Sequence, residues 1–243
     1  MPVRGVLFDL DDTLFDHEHA TVQALTCLRV EHSAFGVWTA VEFLERHSVV
    51  LEAMHLEVLA GRVSIESARE ERFRRLLVDA GHTEASTHAR GIAGRYRAAY
   101  EAAWRPIQGA KDLLAAGRNA GVPIAIVTNN LVAEQQLKLR RCGLDTLVDA
   151  LVTSEETGAA KPDARMFRVA LDRLGIEASE AVMIGDAWGT DIEGALAAGI
   201  RPIWFNWRRS PSPNQAIAEV PSLEPTASVW ALITSDPRPT FDL

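Results

Sequence analysis

Apolar residues in this chain gather in short unbroken runs rather than in strict alternation. Five such runs fall at residues 5–9, 123–128, 149–153, 181–185 and 201–205, all rich in Val, Ile or Leu. Unbroken apolarity over so short a length predicts strands buried on both faces, as in a parallel sheet covered by helices. Between the later runs the pattern changes to helical spacing. Residues 110–120, 131–142, 164–174 and 190–198 each carry apolar positions on one helical face, and each stretch stops at a glycine: Gly121, Gly143, Gly175 and Gly199. Glycine suits the left-handed position just past a helix end. Four helix–glycine–strand units predict an α/β fold on a doubly wound parallel, Rossmann-like sheet.

One interval breaks this rhythm. More than a hundred residues separate the first run from the second, whereas the other intervals are about 15 to 30. A single crossover helix cannot use that length. The interval itself reads as helices, Thr21 to His32, Thr39 to Ala60, Ser64 to Ala80 and Thr83 to Trp104, with turn signals at Gly36, Gly61 and Gly81. Ser64-Ile65-Glu66 and Thr83-Glu84 put small polar residues and acids where helices begin. The expected organisation is a core of residues 1–15 and 101–243 with a helical cap, 16–100, inserted after the first strand. Because the insert leaves the sheet just after Asp11 to Thr13, it is expected to lie over the site.

The tail has another character. Seven of the eleven prolines follow residue 200. Residues 208–226 read as an irregular surface segment, followed by a short helix near Val229 to Ile233 and a frayed end over 235–243.

Composition narrows the function classes. The 243 residues are 47% hydrophobic and 24% charged, with a formal net charge of −8. An acidic chain without a basic run argues against a nucleic acid polymer or an anionic membrane as partner. No apolar run approaches the ~18 residues of a membrane helix, and the brief run before Asp9 is too short for a signal peptide. Cys27 and Cys142 lie far apart without metal-ligand spacing, which reads as two free thiols. These features together predict a cytoplasmic location.

The candidate chemistry sits where the strands end. Asp9, Asp11 and Asp12 follow the first strand. Thr128, Asn129 and Asn130 follow the second, Lys161-Pro162-Asp163 precedes a helix, and Asp186 and Asp191 follow the fourth strand. Ligands of open α/β sheets bind outside the carboxyl ends of strands, so these groups are expected to converge. Clustered carboxylates repel one another unless a cation, a proton or a substrate needs them there. Taken alone, Asp11-Asp12-Thr13 is equally a helix-capping turn; it is the other three groups that favour a site.

The order Asp-x-Asp-x-Thr, Thr-Asn, Lys-Pro and Gly-Asp-x-x-x-x-Asp resembles the haloacid dehalogenase (HAD) superfamily, over nearly the whole chain. The resemblance implies that the first and fourth strands lie side by side. It also implies roles. Asp9 would be the nucleophile that takes a phosphoryl group. Asp11 would be the general acid and base, with its backbone carbonyl on the metal. Thr128 and the Asn129 backbone would hold phosphate oxygens, Lys161 would neutralise the nucleophile and phosphate, and Asp186 would ligate magnesium. Asp191 would stand behind these, orienting water or Lys161. Many relatives carry glycine where this chain has Asp12, a turn position that aspartate tolerates.

Electrostatics supports the metal separately. A phosphate dianion meeting Asp9 and Asp186 suffers about 4 kcal/mol of repulsion per unit-charge pair at ~4 Å and an effective dielectric of ~20. Lys161 alone cannot offset several such pairs, and the ligands on offer are all oxygens, which suits Mg²⁺. Asp11 divides the chemistries within the superfamily: an alkoxide leaving group needs a proton and a halide does not. A magnesium-dependent phosphatase is therefore expected. A 2-haloacid dehalogenase and a non-catalytic binding or regulatory protein on the same scaffold are the alternatives.

The residues around Ser154 to Gly158, the Thr-Asn-Asn turn and Trp204-Phe205-Asn206 are similar to a subgroup that includes pyrimidine 5′-nucleotidases and N-acylneuraminate 9-phosphatases. The substrate implied is a small phosphorylated metabolite, a nucleoside 5′-monophosphate or a sugar phosphate. Phe15 and His17 follow the catalytic loop and are candidate leaving-group contacts. His17 and His19 read as solvent- or cleft-facing rather than as metal ligands, and Trp188 as cleft lining or packing.

Overall fold

Backbone hydrogen bonds join the apolar runs into one six-stranded sheet, with every neighbouring pair parallel. This computed structural model describes residues 2–235. The expectation of a frayed 235–243 lies, past Ser235, outside the described residues. The strands are β1 (Gly5–Phe8), β2 (Ile124–Thr128), β3 (Ala150–Thr153), β4 (Ala181–Gly185), β5 (Arg201–Phe205) and β6 (Ala218–Val220). Their spatial order is β3-β2-β1-β4-β5-β6. From β1 the chain winds one way to β2 and β3, then the other way to β4, β5 and β6. That reversal flanks β1, and ligand crevices open at such switch points.

β6 corrects the reading of 208–226 as wholly irregular. Ala218-Glu219-Val220 adds to β5, with Phe205 opposite Val220. Three residues on a sheet edge cannot produce the unbroken apolar run that marked the other strands.

The chain divides into two compact units, Met1–Asp16 with Arg105–Leu243, and His17–Trp104. In the sheet unit, α5 is Ala110–Asn119, α6 Val132–Cys142, α7 Ser154–Thr157, α8 Ala164–Leu174, α9 Glu193–Ala197 and α10 Thr226–Thr234, and the helical unit holds α1 (His17–Glu31), α2 (Ala40–Leu59), α3 (Ile65–Asp79) and α4 (Ala85–Ala102).

Leu7, Ala125, Val127, Val152 and Met183 pack with Met166, Phe167 and Ala170 of α8 and Ala195 of α9 into a buried core. Gly194 permits this packing: a Cβ there would lie 2.9 Å from the Phe167 ring and 3.1 Å from Cα of Pro162. The four glycines expected to end helices all adopt positive φ.

In the helical unit, α3 packs on α4 and on α2, and α4 on α1. Thr39 and Glu42 close a reciprocal capping box at the start of α2, and Ser64 caps α3. The start at Thr83-Glu84 differs: α4 begins at Ala85 with no side-chain cap. Helix α1 begins at His17, four residues before the expected Thr21. At the stem of the insert, within the sheet unit, the Asp16 N–H donates to the Arg105 carbonyl at 3.1 Å and the two side chains pair at 2.7 Å.

Among the described residues, no helix is long and apolar enough to cross a membrane. Cys27 and Cys142 are both free thiols, and burial pushes Cys142 up to about 11.

Candidate active site

Strand register decides which polar residues meet. β1 and β4 are adjacent, with Phe8 opposite Ile184, so the chain leaves both strands at one edge of the sheet. The Asp9 N–H still donates to the Ile184 carbonyl at 2.9 Å, and the Asp186 N–H donates to Thr13 Oγ1 at 3.1 Å. Thr13 is fully buried and its hydroxyl lies 3.4 Å from Asp9 Oδ2. The turn between them closes when the Asp12 N–H donates to the Phe15 carbonyl at 2.7 Å. Asp12 sits there at φ 60°, a left-handed position that aspartate accepts more readily than most residues.

Lys161 reaches this cluster from the segment before α8. Its ammonium donates to Asp9 Oδ1 and to Asp191 Oδ1, each at 2.6 Å. All three residues are buried. Burial works against the lysine charge, yet Asp191 and Asp9 more than offset it and hold Lys161 above its ordinary range. Asp191 belongs to a single π-helical turn, Trp188–Ile192, directly after β4. Its second oxygen accepts from the Ala187 N–H at 3.1 Å. Gly185 makes room for it, since a Cβ at that position would lie 2.3 Å from Asp191 Oδ2.

Carboxylate oxygens of Asp9, Asp186 and Asp191 come within 4.8 Å of one another. Burial raises Asp9 well above the usual carboxylate range; Lys161 opposes this, and Asp191 and Asp186 add to it. Burial, reinforced by Asp191, pushes Asp186 up to about 6, although Arg208 donates to its Oδ2 at 2.9 Å. The cluster is thus short of positive charge, and all its donors are oxygens. Those two features fit a hard divalent cation.

A second constellation surrounds Asp11. Lys138 pairs with Asp11 Oδ1 at 2.5 Å, Gln135 donates to Oδ2 at 3.0 Å, and Asn130 stands 3.4 Å from the same oxygen. Gln135 also donates to Thr128 Oγ1 at 2.8 Å. The Asn129 side chain is engaged elsewhere, exchanging two hydrogen bonds with the backbone of Lys161 at 2.6 and 3.0 Å. It therefore fixes the loop that carries the lysine.

Gln135 and Lys138 were not among the residues expected from sequence. A signal for them exists. With Leu139 and Cys142 they occupy positions i, i+3, i+4 and i+7 of α6, the buried face. A lysine and a glutamine on such a face need buried partners.

Other expectations change. Phe15 is fully buried, with Lys138 over its ring at 4.8 Å, so it packs the core rather than touching a leaving group. His17 Nδ1 lies 2.7 Å from the Tyr100 hydroxyl inside the helical unit. Trp188 packs edge-on against Trp204 and donates to Glu193, the packing alternative.

Comparison with known proteins agrees with this geometry. Residues 3–199 match the model of the haloacid dehalogenase-like hydrolases. A ribulose-1,5-bisphosphate 5-phosphatase of Halopiger xanaduensis is 33% identical over 204 residues, 83% of this chain and 84% of that protein. The pyrimidine 5′-nucleotidase YjjG of Escherichia coli is 31% identical over 206 residues, 83% of this chain and 85% of that protein. The magnesium-bound structure of the HAD-hydrolase YfnB of Bacillus subtilis superposes with a TM-score of 0.73 at 24% identity, covering 97% of this chain and all of that one.

Proposed function

The chain belongs to the haloacid dehalogenase-like hydrolases, and from that premise we propose that it is a magnesium-dependent phosphatase that hydrolyses a small phosphomonoester through an aspartyl-phosphate. The observation that carries the reading is the buried contact of Lys161 with Asp9 at 2.6 Å, beside the oxygens of Asp186 and Asp191.

An oxygen of Asp9 attacks phosphorus while the ester oxygen departs with a proton from Asp11. Asp11, now a carboxylate, takes a proton from water, and the hydroxide attacks the phosphoryl group and frees Asp9. Splitting one difficult displacement in two is the gain of covalent catalysis. Lys161 stays charged throughout and offsets the nucleophile and the phosphate. Thr128 and the Asn129 backbone hold phosphate oxygens, and Asp191 fixes Lys161. Asp9, the Asp11 carbonyl and Asp186 would hold Mg²⁺, with Asp191 behind them. Bound there, the cation supplies the positive charge that the carboxylates and the phosphate both need.

The acid at Asp11 favours an alkoxide leaving group over a halide. The substrate class we propose is a nucleoside 5′-monophosphate or a sugar phosphate, as the names of the two curated relatives suggest by analogy. A phosphate-release screen over nucleotides and sugar phosphates, with and without Mg²⁺, tests it. Release that requires Mg²⁺ and vanishes in Asp9→Asn is expected. Release undiminished in that variant, or none from the wild type, overturns the reading.

A further inference from the structure

The helical unit holds a polar cluster that the proposed hydrolysis leaves unused. Arg72 on α3 is 7% exposed. Its guanidinium lies over the rings of Phe73 at 5.1 Å and Tyr96 at 4.9 Å. Those faces attract a cation, but they leave its N–H groups without acceptors. Among the described residues, Nε has no hydrogen-bond partner and no carboxylate pairs with the guanidinium. Tyr96 and Tyr100 favour its charge, whereas the cations nearby, Arg69 and Arg97, oppose it, and Glu101 pairs with Arg97 instead.

His47 on α2 packs on the same two rings, 6.0 Å from Phe73 and 5.0 Å from Tyr96. It is fully buried, and neither ring nitrogen has a partner among the described residues. Burial, with Arg72 and His17 nearby, holds it well below the usual histidine range. It is therefore a neutral ring with one N–H to offer. Tyr96 is close to Thr21, whose hydroxyl lies 3.4 Å from the tyrosine oxygen.

A guanidinium this buried, with Nε unpartnered and no counter-charge, is a costly arrangement for a core to hold. Ordered water would satisfy its hydrogen bonds but not its charge. We propose that Arg72 and His47 form an oxyanion site inside the helical unit, which takes the phosphate or carboxylate group of a small molecule. The planar guanidinium offers parallel donors that match two oxygens of such a group, and His47 supplies a neutral donor beside them.

The sequence provides an unusually local probe. All seven histidines fall between residues 17 and 88, and the two tyrosines are Tyr96 and Tyr100. Phosphate bound in the sheet unit has neither residue type beside it there. The full chain would be labelled with 3-fluorotyrosine and with ¹⁵N-histidine, then titrated without divalent metal with inorganic phosphate, with acetate, and with chloride at matched ionic strength. Saturable shifts of the Tyr96 and His47 resonances are expected with phosphate, with acetate or with both, and the arm that saturates identifies the group. Chloride should give only a small linear drift.

Arg72→Met should weaken binding by about tenfold or more, the scale of a lost charge-assisted hydrogen bond, while Arg72→Lys should keep part of it. No saturable shift in the wild type overturns the proposal, even if Arg72→Met fails to fold. An undiminished response in a folded Arg72→Met does so too. Asp9→Asn should respond as the wild type does, so this site and the hydrolytic reading stand or fall separately.

Discussion

Lys138 pairs with Asp11 at 2.5 Å from the buried face of α6. The lysine side chain is 3% exposed and the aspartate 27%, so the contact is a fixed part of the sheet unit. It gives the proposed proton donor a cation of its own, distinct from the one beside the nucleophile.

Lys138 also holds Asp11 Oδ1 in place, so Lys138→Met should misplace the proton donor and affect the leaving-group step more than nucleophilic attack. On an alkyl phosphate, kcat should fall about tenfold to a hundredfold, the lower range of what a positioned general acid contributes. On p-nitrophenyl phosphate, whose leaving group departs unprotonated, the loss should be smaller. Equal losses on both substrates would separate Lys138 from the leaving-group step.

Asp191→Asn tests the other lysine. An amide cannot accept from both Lys161 and the Ala187 N–H as the carboxylate does, and it removes one of the two charges that hold Lys161. Asp9 still pairs with Lys161 and the lost charge eases repulsion on Asp9 and Asp186, so metal-free protein should lose about 1–3 kcal/mol in denaturant unfolding, the cost of a buried donor left unsatisfied. A change below about 1 kcal/mol, the scale of an exposed pair, would contradict the placement.

Gly185→Ala should fail for steric reasons. The new methyl would sit 2.3 Å from Asp191 Oδ2 and 2.5 Å from its Cβ. A shift of the π turn is required, with an expected cost of about 1–3 kcal/mol and a loss of phosphate release. Unchanged activity and unchanged melting temperature would refute it.

Glu71 gives a pH test in the helical unit. Hydrogen bonds from Arg74 and Arg75 hold its carboxyl at about 2. The folded value lies below the unfolded one, near 4.3, so its contribution is complete above that point and fades as pH falls through about 2. Glu71→Gln should lower the melting temperature slightly at pH 7, since the group is partly exposed and such pairs contribute at most about 1 kcal/mol. The gap between the two proteins should close between pH 4 and 2. A constant gap would show that the effect is not ionic.

How much of this was legible in the sequence depends on how each residue signals. Strand ends could be read because a buried parallel strand is continuously apolar, so Asp9 and Asp186 mark abrupt changes of environment. The glycine stops of α6 and α8 could be read because left-handed φ leaves few alternatives. Lys138 signals only through its phase with Leu139 and Cys142, and without that phase one lysine among Arg140, Arg141 and other polar residues resembles a solvated face. β6 is held by pairing with β5 rather than by its own pattern. Arg72 sits in Arg69 to Arg75, where six of seven residues are charged and the buried one does not stand out.

The stem of the insert has a consequence for the molecule's history. Asp16 and Arg105 close the excursion by a backbone hydrogen bond and an ion pair, both made within the sheet unit. A loop closed at its base costs the rest of the fold only logarithmically with its length. Helices can therefore be lengthened, replaced or exchanged within the insert while the acids and lysines of the sheet unit stay in register. Such a chain can change its inserted unit without rebuilding the constellation of the sheet unit.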